Sequence, residues 1–362
     1  MTTRRRFLAG FLAAGLTPQV SWADIGNPSF LSAAKLADGS YRLFGLTSEG
    51  TALFSVPLQG RGHAAAAHPT KAEAVAFARR PGTFAQVIDC CSGLVLAELQ
   101  TPQGRHFMGH GAFTADGRLL LTPENDFEQG TGQIGIWDRT TQYTRVGEFA
   151  SGGVGPHDIV RLPGSDHFVI ANGGIDTHPE SGRTPLNLAT MRANLALFDL
   201  DYGATEITEL DIALRLNSIR HLSLRSDGMV GFAMQWQGNS SDVPPLIGLY
   251  HPGSVKEPQL MQAPDALHRG MKNYAGSIAF SADGNQIAIS SPRGGMVQAF
   301  DVAETRFTGH WGETDVCGLN ANTSGYIATS GSGRIVRYST SGAAKAVDHP
   351  VAWDNHLVAL TA

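Results

Sequence analysis

His63, His110, His157, His221 and His356 share one position in a repeating sequence. Counting back seven residues from a turn glycine reaches His110 from Gly117, His157 from Gly164 and His221 from Gly228. The same count from Thr70, which stands where other repeats have the glycine, reaches His63, and the C-terminal segment puts His356 at the equivalent place. Two further repeats carry Ser277 (from Gly284) and Gly318 (from Gly325) there, the latter beside Cys317. Imidazoles gathered at one place repel when protonated, so they favour the neutral state and a shared cation. Neutral imidazole is the commonest side-chain ligand of transition metals. The competing reading is structural: a histidine at the start of an inner strand can simply hydrogen-bond a neighbouring repeat.

Other reactive groups fall in segments expected beside these histidines. Glu124-Asn125-Asp126-Phe127-Glu128 offers Glu124 and Asp126 as oxygen ligands, or as acceptors that orient the imidazoles. Further polar segments are Asn172 to Pro179, Gln235-Trp236-Gln237-Gly238 and Ser291-Pro292-Arg293-Gly294-Gly295. Asp315 and Asp354 lie just before the last two repeat positions. Arg220, Arg293 and Cys317 are the cofactor-binding candidates. The arginines suit an anion or a rim carboxylate, and the thiol is either a soft metal ligand or a small buried side chain. Trp236 reads as packing, His106 lies within reach of the same mouth, and His178 is raised by its loop. No GxSxG elbow, P-loop, HExxH, CxxCH or calcium-loop pattern occurs.

The elements that must position these groups are short strands. Asp-Gly turns at Asp38-Gly39, Asp116-Gly117, Asp227-Gly228 and Asp283-Gly284 read as hairpins between apolar runs. An aromatic or apolar residue followed by a polar one closes each repeat: Phe54-Ser55, Ile88-Asp89, Trp137-Asp138, Phe198-Asp199, Tyr250-His251, Phe300-Asp301 and Tyr338-Ser339. Seven such endings predict an all-β, seven-bladed β-propeller of WD40/YVTN type, whose blades recur at ~40–50 residues. Residues 29–57 lack a first strand, and the segment from Trp353 to Leu360 is a first strand with nothing after it. One blade joining both termini closes the ring and removes open edges, so a monomer is expected. The insert from Asn172 to Arg192 reads as a loop with one short helical turn. Innermost strands line the central channel, so the five histidines should ring one mouth, with the second-to-third-strand loops on the same face. The Asp-Gly rim opposite reads as plain.

The N-terminus, Thr3-Arg4-Arg5-Arg6-Phe7-Leu8, an apolar stretch to Leu16 and Ser21-Trp22-Ala23, reads as a twin-arginine leader over residues 1–23. Cleavage after Ala23 would make Asp24 the first residue of a single propeller domain over 24–362 in the periplasm, with no membrane span after cleavage. The 362 residues carry a net charge of −5, which gives no reason to expect nucleic acid or anionic lipid. Three cysteines, two of them adjacent, build no disulfide framework.

The motifs RHFMGHG, ENDFEQGTG, GPHD, ANGGIDTHP with RTPLNL, SIRHL, SSPRGG, DVCGL and WDNHL resemble an uncharacterised bacterial family of exported propellers, a domain of unknown function. The resemblance spans nearly the whole chain after the leader. It implies a gene neighbourhood with imelysin-type iron-uptake proteins and a di-haem peroxidase-like protein, hence periplasmic iron acquisition or handling with those proteins as partners. A second, architectural resemblance is to the propeller of nitrous-oxide reductase, which surrounds a metal cluster with histidines. A metal-binding propeller is therefore the leading expectation, iron first and copper second, with His110, His157, His221 and His356 as ligands and His63 next. The alternatives are a metal-dependent hydrolase or oxidoreductase, and an interaction scaffold for a periplasmic iron-uptake partner.

Overall fold

Middle strands of this chain read as unbroken apolar runs because a neighbouring blade covers each face. Phe168–Asn172 is buried at every residue, whereas the outermost strand Gly203–Glu209 alternates buried or half-buried with exposed side chains. That gradient from continuous to alternating marks the path from channel to solvent. The computed structural model describes residues 20–80, 82–254, 257–339 and 344–360. They form seven antiparallel sheets, five of four strands and two of five, arranged as a β-propeller. Blade 2 starts with the inner strand Gly62–Ala67, blade 4 with Pro156–Arg161 and blade 5 with Asn217–Leu224. Blades 6 and 7 start with Ser277–Phe280 and Val316–Asn322. Between blades lie apolar layers, such as Leu121, Ile134, Ile170 and Phe198 between blades 3 and 4. Each such side chain contributes roughly 1.5–3 kcal/mol on burial.

Blade 1 is closed as expected. Val351–Trp353 and Val358–Ala359 pair with Phe30–Leu36, in register Ala34 to Trp353 and Phe30 to Ala359. Phe30, Leu46, Ile327, Ile335, Trp353 and Leu357 then seal blade 1 against blade 7. Two markers shift by one strand. Phe54-Ser55 lies in the outermost strand Ala52–Leu58 of blade 1, where the other six endings lie in third strands. Asp38-Gly39 joins the second and third strands of its blade, so it belongs to the rim opposite the other Asp-Gly turns. A tight antiparallel turn has the same chemistry at either place, so sequence alone cannot phase it.

The insert from Asn172 to Arg192 contains one 3-10 turn, Pro179–Ser181. The twin-arginine segment lies outside the described residues. The described end of the expected leader packs on the propeller: Trp22 is 7% exposed and its indole Nε1 donates to the His68 carbonyl at 2.7 Å. The expected cleavage bond after Ala23 thus follows an indole seated in the core of blades 1 and 2. All three cysteines are free. No helix among the described residues is long and apolar enough to cross a membrane.

Candidate metal centre

Inner strands place the five histidines, and they do so where the strands are irregular. In blade 4 the register runs from Pro156 opposite Asn172 to Asp158 opposite Ala171, which leaves His157 as an extra residue. Blade 5 slips between Ile219 and His221, and blade 2 between Gly62 and Ala65. Blade 3 breaks its inner strand between Arg105–Phe107 and Ala112–Phe113, around His110. Blade 1 breaks its own between Trp353 and Val358, around His356. A bulge bends a strand and re-aims a side chain. Here each one turns an imidazole toward the channel. Blade 6 shows no slip in this ladder and carries Ser277, whose hydroxyl accepts the Leu319 amide of blade 7. Blade 7 is bulged at Cys317-Gly318; a Cβ on Gly318 would lie 2.8 Å from the Leu357 amide nitrogen, so its blade supplies close backbone approach to His356 instead of a ligand.

The result is one layer of imidazoles. Ring centroids lie 4.6 Å apart for His63 and His356, 4.8 Å for His110 and His356, 4.9 Å for His157 and His221, and 5.0 Å for His63 and His110. Two sets of three, His63/His110/His356 and His110/His157/His221, bring one nitrogen from each residue within 4.8 Å of the others. His110 is common to both. The glycine before it is needed for the packing: Gly109 has φ +96°, and a Cβ there would meet His63 Cδ2 at 2.3 Å.

His110 is oriented by a carboxylate. Its Nδ1 lies 3.0 Å from Asp158 Oδ1, and Asp158 Oδ2 accepts the Leu222 amide at 3.0 Å. Burial opposes ionisation of Asp158, yet His110 and that amide hold its carboxyl below the usual range. Nδ1–H on a carboxylate leaves Nε2 as the lone-pair nitrogen, the arrangement common behind metal-bound histidines. Among the described residues, His110 Nε2 is buried without a hydrogen-bond partner, and so are His63 Nδ1, His221 Nδ1 and His356 Nε2. Burial pushes the imidazole of His221 down to about 3, with His110 adding to it. His63, His157 and His356 fall well below the ordinary histidine range, first through burial and then through neighbouring imidazoles or, for His157, Arg220. These four are neutral near pH 7 and able to donate a lone pair.

Glu124 and Asp126 are not brought to this layer. Glu124 is fully buried within blade 3 and takes Arg145 in a two-pronged ion pair at 2.7 and 3.0 Å. Asp126 pairs with Arg105 at 3.2 Å and accepts the Gln129 amide. Their oxygens are committed to cross-strand arginines, which corrects the expectation that they are ligands or orienting acceptors. Cys317 belongs to neither histidine set, and burial pushes its thiol up to about 12, so it stands as a buried neutral group rather than a thiolate. His106 bonds the Phe107 carbonyl and stacks on Phe127, and His178 caps the turn Pro179–Ser181. Trp236 donates to the Asn239 carbonyl and the Asp242 carboxylate. Arg220 and Arg293 do line a cavity of about 240 Å³ against the layer, together with Arg79, Arg80 and Arg183, three arginines the sequence reading did not single out. Asp158 was also missed, although it directly follows His157 in the GPHD motif.

The chain matches a family described as "Protein of unknown function (DUF1513)" over residues 56–360, and it belongs to that family. No curated protein matches it. Among solved structures it is similar to hydrazine synthase of Kuenenia stuttgartiensis, with TM-score 0.61 and 12% identity over 92% of this chain and 98% of that one. It is also similar to a chain of a mitotic checkpoint complex, with TM-score 0.55 and 14% identity over 81% of each. At these identities the likeness concerns the fold alone.

Proposed function

We propose that this member of the DUF1513 family holds one transition-metal ion in its histidine layer and serves periplasmic iron acquisition or iron handling after twin-arginine export. One observation carries the metal reading: four buried imidazole nitrogens, on His63, His110, His221 and His356, have no hydrogen-bond partner among the described residues. A buried polar atom left unpaired costs about 1–3 kcal/mol. Four in one cluster are hard to reconcile with a purely structural role, and a cation answers all of them. The donor set is nitrogen without thiolate, which suits iron(II), copper or zinc by ligand type. Iron ranks first because of the resemblance to propellers encoded beside imelysin-type proteins, with those or the di-haem peroxidase-like protein as partner; copper ranks second.

Stoichiometry follows from His110. Its Nδ1 faces Asp158, so a single lone pair on Nε2 serves both histidine sets. The site takes one ion per chain. Tetrahedral ligands at ~2.0–2.1 Å sit roughly 3.4 Å from one another, so donors spaced up to 4.8 Å close inward on binding. Elemental analysis of periplasmic protein, beside a His110→Ala/His157→Ala/His221→Ala variant, tests the reading. One iron or copper per chain that vanishes in a folded variant is the expected result. Metal-free, folded wild-type protein after growth with both metals would defeat it.

A second reading, a metal-dependent enzyme, is favoured by the 240 Å³ cavity that reaches His63, His157 and His221 and gives a small substrate access to the ion. Turnover by the metal-loaded protein that disappears on chelation separates it from pure binding.

A further inference from the structure

The cavity on one side of the histidine layer has a charge that its own walls do not balance. Arg79, Arg80, Arg183, Arg220 and Arg293 line it, and no aspartate or glutamate does among the described residues. Arg79 shares Asp354 with Arg61, at 3.6 and 2.7 Å. The other four form no ion pair among the described residues. Their contacts are neutral or cationic. Arg80 donates to the Thr177 hydroxyl at 3.0 Å, and Arg183 donates to the Arg80 carbonyl at 3.0 Å. Arg293 lies over the Tyr274 ring at 4.2 Å. Arg220 approaches His157 Nδ1 at 3.4 Å, and its Nε is buried with no partner among the described residues.

Guanidinium groups stay charged, and drawing Arg79, Arg80 and Arg220 partly out of water with one shared counter-charge among them is unfavourable. Like charges gathered round one small volume add repulsion. The arrangement becomes favourable when an anion enters, because the planar fork of arginine matches carboxylate and phosphate oxygens two at a time. We propose that this cavity binds a small anion bearing two or more carboxylate or phosphate groups. Its volume of about 240 Å³ holds the equivalent of roughly eight waters at ~30 Å³ each. That is below the ~300–1,000 Å³ of sites for drug-sized ligands, so the anion is compact. Arg183 and Arg293 are exposed at the rim, while Arg79, Arg80 and Arg220 lie deeper, which gives an approaching anion a graded path inward. Binding here rests on the arginines and needs no ion among the histidines.

The test is calorimetric titration of the processed protein, chelator-treated and metal-loaded, with citrate, with pyrophosphate, and with acetate as a singly charged control at fixed ionic strength. Expected is one polyanion per chain in the chelator-treated protein, bound at least about tenfold more tightly than acetate. Arg80→Gln and Arg293→Gln should each weaken it about ten- to a hundredfold, and added salt should weaken it further. Preference for citrate assigns the carboxylate class, and preference for pyrophosphate the phosphate class. Arg293 is exposed, so that variant keeps the test open if Arg80→Gln fails to fold. The proposal is overturned if neither polyanion binds, or if both substitutions leave the affinity unchanged. Binding that appears only in metal-loaded protein also overturns it, since the anion is then a ligand of the ion; that outcome leaves the metal reading standing.

Discussion

Two cavities flank the histidine layer, and they differ in charge. On one side five arginines face His63, His157 and His221. On the other, a cavity of about 280 Å³ is lined by His110, His221, His356 and mainly aliphatic or small side chains, with Asp158 as its single charged group among the described residues. The imidazoles are therefore polarised across the channel. Asp158 holds His110, the residue common to both histidine sets, from one side and would offset part of the charge of the proposed cation. The arginines lower the proton affinity of His157 and His63 from the other, after burial has done most of it. Asp158 beside His110, and Asp354 shared between Arg61 and Arg79, are the carboxylates set against five guanidiniums, so with the proposed metal ion bound the site would be short of negative charge, and that deficit is what the proposed anion fills.

The contrast breaks first at His110. His110→Ala removes the residue common to both histidine sets, so metal content should be lost altogether. His157→Ala leaves His63/His110/His356 intact and should retain metal at lower affinity. Elemental analysis of both variants side by side decides; equal retention would show that the two sets do not share a ligand.

Acid should act next. The folded-state affinity of His221 for protons falls to about 3, and those of His63, His157 and His356 also drop below the ordinary 6.5. The unfolded chain takes up protons below 6.5 that the folded chain cannot, so stability is full above that pH and declines as pH falls toward 3. For His221 this costs about 2 kcal/mol at pH 5, and His63, His157 and His356 act in the same direction. Urea midpoints of metal-free protein at pH 7.5 and 5.0 should differ clearly, and coincident midpoints would mean that the layer is hydrated and readily protonated.

A smaller effect is expected on the aspartate side. Asp158→Asn keeps the shape but loses the charge that fixes the His110 tautomer, and metal affinity should fall about ten- to a hundredfold. Competition with a chromogenic chelator measures it. Cys317→Ala should change metal affinity not at all, because the thiol is neutral and outside both sets; a loss of metal there would return Cys317 to the ligand list.

The fold was legible because blades repeat their turn chemistry, and His63 to His356 were legible because one repeat position recurs. Glu124 and Asp126 misled because the sequence does not display cross-strand neighbours. A Cβ on Gly135 would meet both Glu124 Oε1 and Arg145 Nη1, so that glycine opens the gap through which the pair forms, and nothing local announces it. Asp158 was hidden by the bulge at His157, which breaks the simple alternation of a strand. The arginine cluster draws on four blades, from Arg79 to Arg293, and no sequence spacing links residues that only closure of the ring brings together.

X-ray absorption spectroscopy at the metal edge of the loaded protein reads the proposed ligands themselves. Expected is one ion per chain with three to five nitrogen neighbours at ~2.0–2.1 Å, the outer-ring scattering of imidazole, and loss of that signal in His110→Ala. Sulfur at ~2.3 Å, or a shell of water oxygens without imidazole, would contradict it.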